Sequence, residues 1–373
     1  MVSPASKKVV VLGGGYSGTM VAKGLDKTFN VTLIEKRDVM VHKFGALRGM
    51  VYGDKFTHRL VVPQDKLLKY GKIVHGDVEN VEPGKVLLKD GSELEYDYLV
   101  CATGSRNRLA EPLANVSTRD GIMAYWNNIA KEIEKAKSIM LVGGGPVSVE
   151  LIGEIADKYG HEKQIYLATN KDKVLYNDPP FAAGFYKKID KQLKKLGVKV
   201  FTSEEVQMPF EKDNPVLVGE RHVTLCSEDV TVDLVIDGTG SIINTYMYPE
   251  AWKDGESARI KVLPTLQVEG VDNVFAIGDI NNVRETKIGY TAMLQAGVAA
   301  KNIIALEKKK KLKKYKASKP VMFVPLGRKG GAVAMPGFSL GPFFASMLKG
   351  KTVFVEMSWK NMNQKKALKP EIK

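Results

Sequence analysis

Apolar positions along this chain fall into two rhythms. Short apolar runs occur at Val9–Leu12, Leu99–Ala102, Ile139–Val142 and Leu234–Ile236, and Val31–Ile34 is broken only by Thr32. Runs of this length, rich in β-branched residues, fit strands buried on both faces. Between them the apolar residues recur at helical spacing, notably after Gly18, after Ser148 and from Lys287 to Ala296. Strands alternating with helices predict parallel sheets covered by helices. Lys85–Tyr98 instead alternates polar and apolar around Lys89-Asp90-Gly91, a hairpin pattern.

Two strand-to-helix junctions share one design. The first reads Gly13-Gly14-Gly15-Tyr16-Ser17-Gly18, the second Gly143-Gly144-Gly145-Pro146-Val147-Ser148. The first glycine of such a turn permits the tight bend, and the second lets the backbone approach a pyrophosphate. The third lets helix and strand pack closely, while the helix N-terminus offers N–H groups to the anion. Two such motifs predict two bound dinucleotides, hence electron transfer between two cofactors. The strand after the first motif ends at Glu35, followed by Lys36. A carboxylate there accepts a ribose 2′-hydroxyl and repels a 2′-phosphate. The matching strand of the second unit, Gln164–Thr169, ends without an acid and is followed by Asn170, Lys171 and Lys173. That site is expected to accept both NADH and NADPH. Each unit closes on a strand and a Thr-Gly turn, Ala102-Thr103-Gly104 and Gly238-Thr239-Gly240. Glu150 and Glu154 lie on the second motif's helix. Asp279 ends the apolar strand Val274–Ile277, with Lys287 and Ile288 just before the next helical segment.

The 373 residues hold only two cysteines, Cys101 and Cys226, both read as core thiols in apolar strands. Lacking a closely spaced cysteine pair, the chain is not expected to reduce disulfides. No metal site is predicted. The net charge of +14 is lopsided: residues 301–373 carry 18 Lys and Arg against three acids, and eight lysines cluster between Lys308 and Lys319. Such a block suits an anionic membrane surface or, less well, nucleic acid. No apolar run reaches the roughly 18 residues needed to span a bilayer. Pro336–Leu348 is too short to span but long enough to lie in the interface, and Phe323, Phe338, Phe343, Phe344, Met347, Phe354 and Trp359 suit a quinone acceptor.

Gly13–Gly18, Ala102–Gly104, Gly143–Glu150 and Ala276–Asp279, in this order and spacing, resemble flavoproteins with two dinucleotide domains. Together with Ala46-Leu47-Arg48 and Ser358-Trp359-Lys360, they resemble the apoptosis-inducing-factor-like NAD(P)H:ubiquinone reductases of the ferroptosis suppressor branch. Type II NADH dehydrogenases are wider kin. The resemblance implies an α/β fold of two Rossmann-like domains with a small C-terminal α+β region. The first, FAD-binding domain would comprise 1–108 and 242–319, the NAD(P)H domain 109–241, and a quinone- and membrane-facing region 320–373. FAD would be held by Gly13, Gly14, Gly15, Tyr16, Ser17, Gly18, Glu35, Lys36, Arg48, Val78, Ala102, Thr103, Gly104, Asp279, Lys287 and Ile288. The nicotinamide cosubstrate would lie along Gly143, Gly145, Pro146, Val147, Glu150, Thr169 and Gly240. Glu150 and Lys287 are the candidate catalytic residues. The family's location is the cytoplasmic face of lipid droplets, the plasma membrane or the outer mitochondrial membrane. Its N-myristoyl pattern is not met, because Val2 stands where glycine is required. Binding of nucleic acid or a protein partner, and reduction of a ferredoxin or rubredoxin, are the alternative functions. Both a monomer and a homodimer suit the sequence.

Overall fold

The computed structural model describes residues 7–111, 115–211, 214–226 and 228–372; Val2 lies outside them. Two parallel sheets dominate. In the first, the order is 274–276, 98–101, 8–12, 30–35, 72–75, all parallel. Lys8–Leu12 sits in the middle, with Leu12 facing Ile34 on one side and Cys101 on the other. Val9, Val10, Val11 and Leu12 are at most 2% exposed, as a continuous apolar run in a sheet covered on both faces requires. The chain leaves this central strand for one neighbour and returns to the other side, so the sheet has a topological switch point at Gly13.

The second sheet repeats the plan. Ser138–Val142 is central, Gln164–Thr169 and Lys199–Thr202 lie to one side, and Asp229–Asp237 lies to the other. Val216–Thr224 adds an antiparallel edge. Its switch point is at Gly143. The predicted hairpin is present as Lys85–Leu88 against Glu93–Glu95, within a small sheet beside the first.

Residues beyond 320 form an antiparallel three-stranded sheet, Met322–Leu326, Gly330–Met335 and Phe338–Leu340, followed by short helices. This sheet lies on the helix Pro146–Tyr159 so closely that a Cβ at Gly153 would stand 2.4 Å from Leu326 Cα. Two expectations change here. Pro336–Leu348 is not one interfacial stretch, because Gly337, at φ +85°, turns the chain into a strand before the helix Pro342–Ala345 begins. Its apolar side chains are nonetheless uncovered: Phe338, Phe343, Phe344 and Met347 are 41–71% exposed. Cys226 is exposed rather than core, since it lies just past the strand ending at Thr224, whereas Cys101 is buried. All eight lysines from Lys308 to Lys319 are exposed. Their backbone is pinned to the body: Asn302 bonds the N–H and carbonyl of Lys313, and Tyr315 donates to Glu285. No helix among the described residues is long and apolar enough to cross a membrane.

Candidate active site

Each glycine-rich turn ends at a helix without a side-chain cap, Tyr16–Leu25 and Pro146–Tyr159. The first-turn N–H groups of such a helix have no intrahelical partner and attract an anion. Gly13 and Gly143 have φ of +99° and +97°, and Cβ atoms there would stand 2.6 Å from Ala102 O and Thr239 Cγ2. A Cβ at Gly18 would lie 1.8 Å from Gly13 O, so only glycine lets this helix approach its strand. Gly15 and Gly145, in contrast, face open space, with no heavy atom within 4 Å of an added Cβ. Uncapped helix ends opening onto empty space are what a pyrophosphate needs, and both turns fit the group the motif predicts.

Around the first turn, Glu35 accepts the Gly14 N–H at 2.6 Å and the Arg37 N–H at 3.1 Å. Burial lowers the Lys36 ammonium from its ordinary range, with Arg37 adding repulsion. Ser17 is buried beside Gly278, and Tyr16 stacks on Phe44 with ring centres 4.4 Å apart. Thr103 donates to Asn244 O, and Gly104 adopts φ +63°. Val78 is buried in the core cluster that includes Leu12 and Ile34. Asp279 accepts from Ser105 Oγ at 2.6 Å. Lys287 donates to the main-chain and side-chain oxygens of Asn281, and burial pulls its pKa down to about 8, helped by Arg259. Ile288 is the N-cap of the helix Gly289–Glu307. In the second unit, Thr169 is buried against Gly144, and Gly240 adopts φ +65° beside open space.

A cleft joins the two units. Its walls bring together Asp279 and Ser105 from the first unit with Pro146, Val147 and Glu150 from the second. Glu150 is largely buried at the cleft wall. Both its oxygens accept from Lys349 Nζ, at 2.7 and 2.8 Å. Burial raises the Glu150 carboxyl above its ordinary range, while Lys349 opposes that shift and Glu154 adds to it. Opposite, Lys43 forms a 2.6 Å ion pair with buried Glu111. The cleft is thus charged on both walls, with Phe44 and Leu47 between them.

The pyridine nucleotide-disulphide oxidoreductase family matches residues 6–301. The chain belongs to that family. Apoptosis-inducing factor homolog B of Dictyostelium discoideum is 36% identical over 97% of this chain and 98% of its own. Ferroptosis suppressor protein 1 of Xenopus tropicalis is 33% identical over 96% of each chain. Among solved structures, NDH2 from Plasmodium falciparum in complex with NADH superposes with a TM-score of 0.73 at 16% identity, covering 99% of this chain and 100% of that one. The sulfide:quinone oxidoreductase of Aquifex aeolicus gives 0.75 at 15% identity, with 96% and 92% covered. At those identities the two structures establish the fold. Membership makes the chain an NAD(P)H-dependent flavoprotein oxidoreductase, working with FAD and a nicotinamide cosubstrate.

In this pyridine nucleotide-disulphide oxidoreductase the residue that sequence reasoning missed is Lys349. It sits 199 positions from Glu150 in a chain region full of lysines, and no local signal marks it. Arg48, assigned to FAD by resemblance, is 1% exposed and its guanidinium forks onto Glu154 at 2.7 and 2.9 Å. The helix Pro146–Tyr159 therefore carries two glutamates one turn apart, each with its own buried cation.

Proposed function

We propose that the protein is an NAD(P)H:quinone oxidoreductase acting at an anionic membrane surface. The observation that carries this is the cleft between the two nucleotide units, walled by Glu150–Lys349 on one side and Asp279 on the other. When bound, FAD supplies a two-electron carrier between the nicotinamide and the final acceptor. Gly13–Gly18 and the helix behind them would hold its pyrophosphate. Glu35 would take the ribose and Asp279, at a strand end, a polyol hydroxyl. Gly143–Val147 would hold the nicotinamide dinucleotide, bringing its reactive ring toward Glu150. Lys349 Nζ donates to both oxygens of Glu150, whose burial favours the protonated form, so Glu150 can hold or release a proton at the cleft wall.

The acceptor follows from what the chain lacks and what it exposes. Cys101 is buried in the first sheet and Cys226 exposed just past a strand of the second, and burial drives the Cys101 thiol far above its ordinary range. With no thiol pair to relay them, the electrons would go to an acceptor that diffuses into the cleft. The exposed Phe338, Phe343, Phe344 and Met347 favour an apolar one dissolved in lipid. The relatives named ferroptosis suppressor protein and the quinone-reducing structural neighbour support the same choice. The test is NADH- and NADPH-dependent reduction of short- and long-chain quinones by the flavin-loaded protein, with and without anionic liposomes. Rapid quinol formation, enhanced for long-chain quinones by liposomes, is expected. Flavin reduced by NADH yet reoxidised no faster by quinone than by oxygen would overturn the assignment. Stronger competition by DNA than by liposomes would instead favour the nucleic-acid reading that the exposed lysines also permit.

A further inference from the structure

The segment that delivers Lys349 is held in an unfavourable shape. Ser346–Gly350 forms a π-helical turn, a rare form concentrated at functional sites. Just beyond it, Val353 and Phe354 have φ of +41° and +61°. Two successive non-glycine residues in the left-handed region, one of them β-branched, persist only when their surroundings enforce them.

Ser346 Oγ donates to Arg328 O at one end of the segment, and three further contacts come from residues 42–48 to main-chain carbonyls beyond Lys349. Arg48 Nη2 donates to Gly350 O at 2.5 Å and Nη1 to Lys351 O at 3.1 Å. The same guanidinium holds both oxygens of Glu154, so it ties the segment to the helix that bears Glu150. His42, fully buried, binds Val353 O through Nε2 at 2.7 Å. A carbonyl only accepts, so Nε2 carries the hydrogen and Nδ1 accepts from Ser358 at 2.7 Å and Tyr16 at 3.1 Å. Burial lowers the histidine pKa to about 4, so this neutral tautomer persists at working pH. Arg48 has four of its five N–H donors engaged here, which leaves it poorly equipped to bind a cofactor.

We propose that Arg48 and His42 are positioning residues, which clamp the 346–354 segment so that Lys349 meets Glu150 at the cleft wall. This rests on the Glu150–Lys349 pair being the working pair of the proposed reaction.

The experiment is a double-substitution cycle on FAD-loaded protein, reading flavin reduction by NADH under single-turnover conditions, with KM, kcat and bound FAD. Lys349→Met alone should slow flavin reduction. Arg48→Lys keeps a charge for Glu154 but loses the fork to the carbonyls. It should retain FAD, leave KM for NADH within about twofold and slow flavin reduction by about 10²-fold, as misplacement of a reacting group does. In a Lys349→Met background the same substitution should add less than about twofold, since residues acting through one another are not additive. His42→Gln, which disturbs the Val353 anchor and the bonds from Ser358 and Tyr16 but leaves the Arg48 fork in place, should show a smaller loss with the same dependence on Lys349. It decides the matter if Arg48→Lys fails to fold.

Equal losses in both backgrounds would make the clamp merely structural. Loss of FAD on Arg48→Lys whatever stands at 349 would make Arg48 a cofactor ligand. Normal reduction by Arg48→Lys and His42→Gln, with Lys349→Met impaired, would overturn the clamp and spare the working pair. Normal reduction by Lys349→Met would overturn the pair itself.

Discussion

Replacing Lys349 by Met removes one charge from a pair whose side chains are each 11% exposed, and leaves Glu150 without its cation. Breaking a buried pair commonly costs about 3–5 kcal/mol, far more than the intact pair contributes. The structure lets this be bounded independently. A stranded buried carboxyl escapes by binding a proton. Holding that proton costs about 1.4 kcal/mol for each unit by which pH exceeds an ordinary glutamate pKa near 4.3. The ceiling is therefore about 5 kcal/mol at pH 8 and about 1.6 kcal/mol at pH 5.5. The sign follows from linkage. With its folded pKa raised, Glu150 retains a proton that the unfolded chain gives up. The stability of the variant is then fullest below the ordinary glutamate pKa and is lost as pH rises through the folded value. Urea unfolding with saturating FAD, followed by fluorescence of buried Trp126 and Trp359, should show a gap from wild type of about 3–5 kcal/mol at pH 8 that shrinks below about 2 at pH 5.5. Adding Glu150→Gln should abolish the pH dependence. A gap below about 1 kcal/mol at pH 8, or one equal at both pH values, would refute the description of Glu150 as a buried carboxyl whose desolvation Lys349 opposes.

Three further outcomes follow from the same geometry. Gly15→Ala adds a methyl group where no protein atom lies within 4 Å, so the melting temperature of apoprotein should hold while FAD retention falls; Gly145→Ala should raise KM for NADH and leave FAD in place. NADH and NADPH should differ by less than about tenfold in kcat/KM, roughly 1.4 kcal/mol, and Thr169→Glu should shift preference toward NADH; a thousandfold wild-type preference would contradict the role given to that strand end. Replacing six of the exposed lysines between Lys308 and Lys319 by Gln should weaken binding to anionic liposomes and its salt dependence, with reduction of a soluble short-chain quinone unchanged.

Much of the frame could be read from local pattern. The fingerprints are local because a tight turn, a close backbone approach and a helix end all fall within six residues. Glu35 and Asp279 were visible for a similar reason: each ends an apolar strand, and strand ends in such sheets face the crevice. The other half of the site was invisible because it is made by long-range pairing. Lys349 gains meaning only when the three-stranded sheet settles on the helix of Glu150. Nothing adjacent to Arg48 announces its bond to Glu154, 106 positions away. Cys226 misled because Val223-Thr224-Leu225 continues a strand pattern up to the residue where the chain turns.

The arrangement of the first sheet bears on how the chain becomes a protein during synthesis. Its edge strand, Val274–Ala276, is made only after the whole of the second sheet, residues 138–237. The second sheet draws its five strands from one uninterrupted stretch and can close as soon as that stretch has left the ribosome. The first must wait, holding the strand Tyr98–Cys101 with one side unpaired, for a partner more than 170 residues downstream. Folding units ordinarily mature in the order in which they emerge. Here the unit begun first is completed second. In the interval the nascent chain presents an apolar parallel edge, the kind of surface that chaperones cover and that aggregates when left alone.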